Sequence, residues 1–373
     1  MSRQESKTRL KISANPSEDT PILHEDRISD LLRWFQEKGI AYPWGENPTP
    51  YRVWISEIML QQTVVTAAVD HFQNWMKLFP CVETLAAAEE QVVLRAWEGL
   101  GYYSRARNLL KGARYLMVHH EGTLPDTYDA LIKVPGIGDY TARALLSLAW
   151  GKAYPVLDAN VRRIGQRLTA CVEPAVQWEK SFLKELDRII PPDEPGGFNC
   201  ALMQLGQQLC RMKSPACEQC PLSMECRAYL TGLQGEIPRP KQRKIHEKNS
   251  ALILLQAEGA FLLARKVSGI GKGLWFIPAV PVDKEPEIRT FLNPRKVELL
   301  PERFHYYTCW KERLIPRLYS MKETREEVLS FSGKYFPGEL EWATAGKLPE
   351  FPMPSVYRRI FEGYSSETPK DES

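Results

Sequence analysis

Along the first 230 or so residues, apolar side chains recur three and four positions apart. Examples are Ile28, Leu31, Leu32 and Phe35; Val53, Trp54, Ile58 and Met59; Leu131 and Val134; and Ala144, Leu145 and Leu148. That is the period of helices with one buried face. Pro and Gly clusters at 43–50, at Pro135-Gly136 and at 191–197 punctuate the runs. From Gly232 the pattern stops. Residues 238–248 (PRPKQRKIHEK) are basic and contain proline, which suits an exposed linker able to lie along a phosphate backbone. Beyond it, Ser250–Gln256 and Ala260–Lys266 are short β-type apolar runs split by Glu258-Gly259, a hairpin signal. The expected organisation is a flexible tail over 1–25, a mostly α domain over 26–231, a basic linker over 232–248, an α+β domain over 249–365 and a short tail over 366–373.

Composition adds bounds. A chain of 373 residues has room for roughly two and a half domains, and 43% hydrophobic with 25% charged residues is ordinary globular usage. No run of about 18 apolar residues exists, so no helical membrane span is expected, and the polar N-terminus lacks the apolar segment of a secretory signal. The formal net charge of +3 is too small to argue for nucleic acid, which must be argued from local patches. Of eight cysteines, Cys210, Cys217, Cys220 and Cys226 fall within 17 residues. Clustered thiols in a chain with no export signal predict a cytoplasmic protein with a metal site.

Four elements carry candidate chemistry. The C-x6-C-x2-C-x5-C spacing supplies four soft ligands suited to an iron–sulfur cluster or to zinc, although zinc sites commonly use two C-x2-C knuckles. Arg211 and Lys213 lie between the first two ligands, where an ordered loop could offer them to phosphate. In Leu131–Ala142, Pro135 ends one helix, and Gly136 and Gly138 permit a turn with unshielded amides before a second helix. Two helices around Pro-Gly-Ile-Gly read as a helix-hairpin-helix gripping a DNA backbone. Glu57, in Val-Trp-Ile-Ser-Glu-Ile-Met-Leu-Gln-Gln-Thr, sits either at a solvated helix edge or among apolar neighbours that would raise its pKa. Asp158, in Pro-Val-Leu-Asp-Ala-Asn-Val, reads as an N-cap, which would keep it ionised and aimed off the helix end. One raised and one depressed carboxylate form the pair that glycosidic cleavage uses.

Taken along the chain as the Glu57 helix, the helix-hairpin-helix, Asp158 and then the cysteine loop, the elements resemble the endonuclease III superfamily of DNA glycosylases, and within it the MutY-type adenine DNA glycosylases. The resemblance rests on Tyr-Pro-Trp (42–44), the stretch 50–63, Gly-Leu-Gly-Tyr-Tyr-Ser-Arg-Ala-Arg-Asn-Leu (99–109) and Leu-Asp-Ala-Asn-Val (157–161), and covers about residues 30–230. It implies a helix-hairpin-helix core of two helical subdomains, a barrel over about 50–157 and a cluster subdomain of 26–49 and 158–231 with one 4Fe-4S cluster. The implied substrate is double-stranded DNA with adenine opposite 8-oxoguanine or guanine, the base being flipped out for cleavage. Glu57 would protonate the adenine, and Asp158 would stabilise the oxocarbenium-like sugar, with Tyr140 and Asn160 in support. Gln62, Thr63, Leu100 and Tyr102 match loops that wedge the duplex and touch the opposite base. The C-terminal domain is similar to a Nudix-like 8-oxoguanine recognition domain through Gly273–Pro278, whereas Arg325-Glu326-Glu327 reads as a solvated helix turn rather than a pyrophosphohydrolase box.

Departures from the family pattern sharpen the expectation. Endonuclease III-type enzymes carry a Schiff-base Lys where Tyr140 stands, so a monofunctional enzyme is expected and a bifunctional glycosylase–lyase is the alternative. The family's 8-oxoguanine loop is here Tyr307-Thr308-Cys309, with Thr308 keeping a hydroxyl. Gly45 and Cys200 replace residues of polar reach, which leaves altered base or mispair specificity as a further alternative. The chain is expected to act as a monomer.

Overall fold

The computed structural model describes residues 21–239 and 244–367. Most of the expected N-terminal tail, positions 240–243 of the basic linker, and the C-terminal tail from 368 lie outside the described residues. The helical part comprises α1 (Glu25–Lys38), α2 (Pro50–Leu60), α3 (Val65–Leu78), α4 (Val82–Ala87), α5 (Glu90–Ala96) and α6 (Ser104–His120), followed by α7 (Tyr128–Leu131), α8 (Asp139–Leu148), α9 (Ala159–Leu168), α10 (Val176–Ile189), α11 (Pro195–Gln208) and α12 (Arg227–Leu230). The remainder is β1 (His246–Ala257), β2 (Ala260–Arg265), β3 (Trp275–Phe276), β4 (Ala279–Pro281), α13 (Glu285–Leu292), β5 (Lys296–Leu299), β6 (Arg303–Tyr307), β7 (Trp310–Ser320), α14 (Arg325–Ser332), β8 (Glu339–Thr344) and α15 (Ser355–Glu367). A mostly α core with a C-terminal α+β domain is the class the periodicities predicted.

Contacts divide the chain into two compact units. The first holds the described residues through Ile58 and from Leu124 to the end of the first described stretch. Its core gathers Leu31 with Val161, Ile164 and Leu168 of α9, Phe182 and Leu186 of α10, and Phe198, Leu202 and Leu205 of α11. Leu23 is buried in the same cluster, so the chain is already packed before α1 begins. Leu23 therefore departs from the expectation of a flexible tail through 25, because it has an apolar site to fill.

The second unit holds Met59–Thr123 and the second described stretch. Its eight-stranded sheet runs β3-β2-β1-β7-β5, with β4 on β1, β6 on β7 and β8 on β2. β1 and β7 are parallel, and the other pairs are antiparallel. Both faces of β1 are covered. Leu252 and Leu254 join the core that includes Val356, Tyr357 and Ile360 of α15, while Ala251, Ile253 and Leu255 join the core with Ile288 of α13 and Val328 of α14. A strand buried on both sides needs an unbroken apolar run, and that is what Ala251–Leu255 shows. Glu258 and Gly259, at φ of 48° and 72°, make the two-residue turn into β2. His246–Lys248 depart from the linker expectation: they pair with Trp310–Glu312 as the exposed start of β1. α15 likewise continues through residues 366 and 367.

Candidate active site

Within the first unit, α2 places Glu57 between Trp54, Ile55 and Ile58, all buried, and leaves it 4% exposed. Burial is the main reason its pKa rises to about 7, and the charge of Asp158 raises it further. The opposing influence is the Tyr140 hydroxyl, which donates to Glu57 Oε2 at 2.7 Å. Tyr140 comes from α8 and is held by burial and by Glu57 well above the ordinary phenol range. Burial, and after it the charge of Glu57, pushes the thiol of Cys200 in α11 up to about 12, and Cys200 adds to the rise of Tyr140. Next to it, Asn199 is fully enclosed: its amide donates to Ser147 Oγ and the Tyr154 carbonyl and accepts from Val156 N–H. That ties α11 to the extended segment leading to Asp158.

Asp158 is the N-cap of α9. Its Oδ1 accepts from Val161 N–H at 2.6 Å and its Oδ2 from Asn160 Nδ2 at 2.8 Å. The depressed pKa expected of a cap is not found. Burial dominates and raises the carboxyl, outweighing the Val161 and Asn160 hydrogen bonds. Asn160 is in turn held by Arg163, whose Nη2 donates to Asn160 Oδ1 at 2.9 Å and to the Gly206 carbonyl at 2.8 Å. Gly206 must lack a side chain, since a Cβ there would lie 2.5 Å from Asn160 Cβ. Arg163 Nε then donates to the carbonyl of Cys210 at 2.7 Å. A continuous hydrogen-bonded line thus runs from Asp158 to the first of the clustered cysteines.

Cys210, Cys217, Cys220 and Cys226 line one cavity with Arg167, Leu209 and Tyr229. Among the described residues no three His, Cys, Asp or Glu converge on a point where a single ion could sit. Arg167, only 1% exposed, donates to Cys210 Sγ at 3.2 Å and to the carbonyls of Arg211, Met212 and Ile237. It therefore shapes the loop on which Arg211 and Lys213 stand exposed. Burial raises the Cys217, Cys220 and Cys226 thiols, Cys220 to about 12.

The hairpin differs from expectation in two respects. The helix before it is the single turn α7, and after it comes a left-handed Gly136 at φ 89°. Gly138 has an ordinary extended backbone, so φ does not demand glycine there. Asp139 opens α8, its carboxylate bound by Tyr128 Oη and Arg143 Nε at 2.8 and 3.0 Å. Sequence reading did not single it out.

In the second unit the wedge candidates occupy two loops of unusual backbone. Gln62 has φ 58°, and Gly99, Gly101 and Tyr102 have φ of 102°, 68° and 46°. Arg105, 8% exposed, joins the loops: it donates to the carbonyls of Met59, Gln61, Leu100 and Gly101 and to Thr63 Oγ1. Tyr102 is 44% exposed, whereas Leu100 is buried. The Gly273–Pro278 stretch packs on α5, where Gln91 exchanges hydrogen bonds with the Gly273 carbonyl and Trp275 Nε1, both at 3.1 Å. Thr308 and Cys309 form the exposed two-residue tip of the β6–β7 hairpin, Thr308 at φ 51°. Arg325-Glu326-Glu327 opens α14 and lies on the surface. No helix among the described residues is long and apolar enough to cross a membrane.

Comparison with known proteins decides the family. The adenine DNA glycosylase of Buchnera aphidicola subsp. Schizaphis graminum is 32% identical over 305 residues, covering 78% of this chain and 86% of its own. This chain belongs to the adenine DNA glycosylase family. The family model described as HhH-GPD superfamily base excision DNA repair protein matches residues 55–192, which include Glu57, Tyr140 and Asp158. The adenine DNA glycosylase of Homo sapiens is 31% identical over 317 residues, covering 69% of this chain and 58% of the human one. Among solved structures, that of a thermostable thymine-DNA glycosylase has a TM-score of 0.51 at 24% identity, over 55% of this chain and 95% of that one. It shows the shared fold of the helical core.

Proposed function

We propose that this chain is a monofunctional base-excision DNA glycosylase, acting as a monomer in the cytoplasm, that hydrolyses the N-glycosyl bond of adenine mispaired with 8-oxoguanine or guanine in duplex DNA. The observation that carries the reading is Glu57: a buried carboxyl with a pKa raised to about 7 keeps its proton in about half of the molecules at neutral pH and can deliver it. The target base is flipped out of the stack, since its glycosidic bond is otherwise out of reach. Glu57 then gives its proton to adenine N7, the C1′–N9 bond breaks with its electron pair going to the base, and the sugar is left cationic. Asp158, held by Val161 N–H and Asn160, faces that charge as the anion. Water adds to C1′ and returns a proton to Glu57. Tyr140 orients the acid through its hydroxyl. A phenol cannot form a Schiff base, so strand cleavage does not follow base removal.

Cys210, Cys217, Cys220 and Cys226 would hold one 4Fe-4S cluster. Four soft thiol donors lining one cavity, with a single C-x2-C knuckle rather than the two common in zinc sites, suit that group. Bound there, it supplies a structural cross-link between α11 and the loop bearing Arg211 and Lys213. Residues 26–231 form the catalytic domain in this reading, and 249–365 the Nudix-like domain that recognises the opposite base through Thr308. Gln62, Thr63 and Tyr102 wedge the duplex, with Leu100 buried beneath Tyr102's loop as its packing support, and Gly136 and Gly138 grip its backbone. A second reading, an active glycosylase of altered base preference, is favoured by Cys200, a poor hydrogen-bonding group beside Glu57, and by Gly45.

The test is single-turnover processing of duplexes with adenine opposite 8-oxoguanine and opposite guanine, each read with and without alkali, beside Glu57→Gln. Breaks that need alkali, are fastest opposite 8-oxoguanine and vanish in the variant support the proposal. Binding without adenine release moves the case to the second reading, and breaks without alkali move it to the glycosylase–lyase.

A further inference from the structure

Glu98 lies immediately before the wedge loop Gly99–Tyr102 and is bound on both sides. Its carbonyl accepts from His71 Nε2 at 2.9 Å. Its carboxylate takes a two-pronged bond from Arg358 of α15: Nε to Oε1 and Nη2 to Oε2, both at 2.8 Å. The two residues stand 260 positions apart in sequence, and their side chains are only 18% and 19% exposed. Arg358 is itself fixed by the carbonyls of Leu348 and Phe351, each at 2.8 Å, so its planar fork has little freedom. Around the pair, Met353 N–H reaches Glu98 Oε2 at 3.4 Å, and the Tyr103 hydroxyl reaches the Met353 carbonyl at 3.3 Å.

The same helix also touches the strand that leads to Thr308. Tyr357, the residue before Arg358, packs edge-on against His305 of β6, ring centroids 6.4 Å apart. A short series of contacts therefore links the Thr308 hairpin to α15, α15 to Glu98, and Glu98 to the wedge loop. At the other end there is no slack, because Gly99 at φ 102° could take no Cβ without coming 3.0 Å from His71 Nε2.

We propose that the Glu98–Arg358 pair is a specificity-positioning device, which fixes the wedge loop in register with the domain bearing Thr308, so that discrimination between 8-oxoguanine and guanine opposite the target adenine depends on it. The inference rests on the reading of the C-terminal domain as the part that recognises the opposite base. Neither residue touches DNA in this scheme; both act through what they hold.

The experiment measures single-turnover rates of the full-length protein on adenine opposite 8-oxoguanine and opposite guanine. Wild type is compared with Arg358→Met, Arg358→Lys, Glu98→Gln and the double variant Glu98→Gln/Arg358→Met. The expected result is that Arg358→Met lowers the ratio of the two rates about tenfold, with the rate opposite guanine changed less than about twofold. Arg358→Lys, which keeps the charge and loses the fork, falls in between. The double variant is no worse than Arg358→Met, since one interaction is lost in either case. Should Arg358→Met unfold, Glu98→Gln carries the same criteria, because it leaves the bonds of Arg358 to Leu348 and Phe351 in place. A ratio that stays at the wild-type value, or two rates that fall together, overturns the proposal and leaves the pair a structural tie. Wild type showing no preference for 8-oxoguanine instead refutes the recognition reading, and the inference with it.

Discussion

Replacing Glu57 with Gln keeps the shape of a protonated carboxyl and removes its titration. Glu57 has a pKa of about 7 in the folded chain against 4.5 for the ordinary group. Between those values the folded state binds more protons than the unfolded one, so stability falls as pH rises through that window. Each pH unit between the two values is worth about 1.4 kcal/mol, so wild type loses about 3 kcal/mol on going from below pH 4.5 to above pH 7. The glutamine variant loses nothing at this position, and its amide oxygen can still accept from Tyr140. It is therefore expected to match wild type near pH 4 and to exceed it by about 3 kcal/mol at pH 8, with no further gain above that. The assay is urea unfolding of both proteins at a series of pH values, with only the difference between them on the same transition read. That subtraction removes the contributions of groups that do not interact with Glu57, and leaves its coupling to Asp158 as part of the difference. A difference that is constant with pH, or that favours wild type in alkali, would refute the account of Glu57 as a carboxyl held protonated by burial.

Three further outcomes follow from the geometry. Tyr140→Phe removes the hydrogen bond that opposes the rise of Glu57, so the alkaline limb of the pH–rate profile should move up by about one pH unit; a downward move would contradict the assignment. Arg163→Met frees Asn160, and with it Asp158, so the single-turnover rate should drop on the order of a hundredfold. DNA affinity, measured by fluorescence anisotropy, should stay nearly unchanged, and equal losses in both would show that Arg163 serves binding instead. Purified protein should carry about four iron atoms per chain with sulfide, and Cys220→Ser should lose both; zinc in the metal analysis would overturn the cluster assignment.

How much of the molecule was legible in the sequence follows from how local each feature is. The apolar stretch around Glu57 left burial open as one of two readings, and the carboxylate does lie among buried neighbours. The cysteine spacing implied a shared site, and the four cysteines line one cavity. The hairpin at Glu258-Gly259 was legible because its turn chemistry is contained in two residues. What escaped notice depends on partners far along the chain. Arg163 and Arg167 look like solvated cations of a helix, yet both are buried on the carbonyls of the cysteine loop. Glu98 and Arg358 carry no local signal of each other. The pKa of Asp158 was misjudged because the cap is a local feature, whereas the burial that outweighs it comes from the packed fold.

The central claim is that a protonated Glu57 drives adenine release, and the most direct measurement is the single-turnover rate of free adenine formation as a function of pH. The rate should be level below about pH 7, fall tenfold for each pH unit above it, and be lost at every pH in Glu57→Gln. A rate that stays level to about pH 9, or that survives the substitution, would contradict the account.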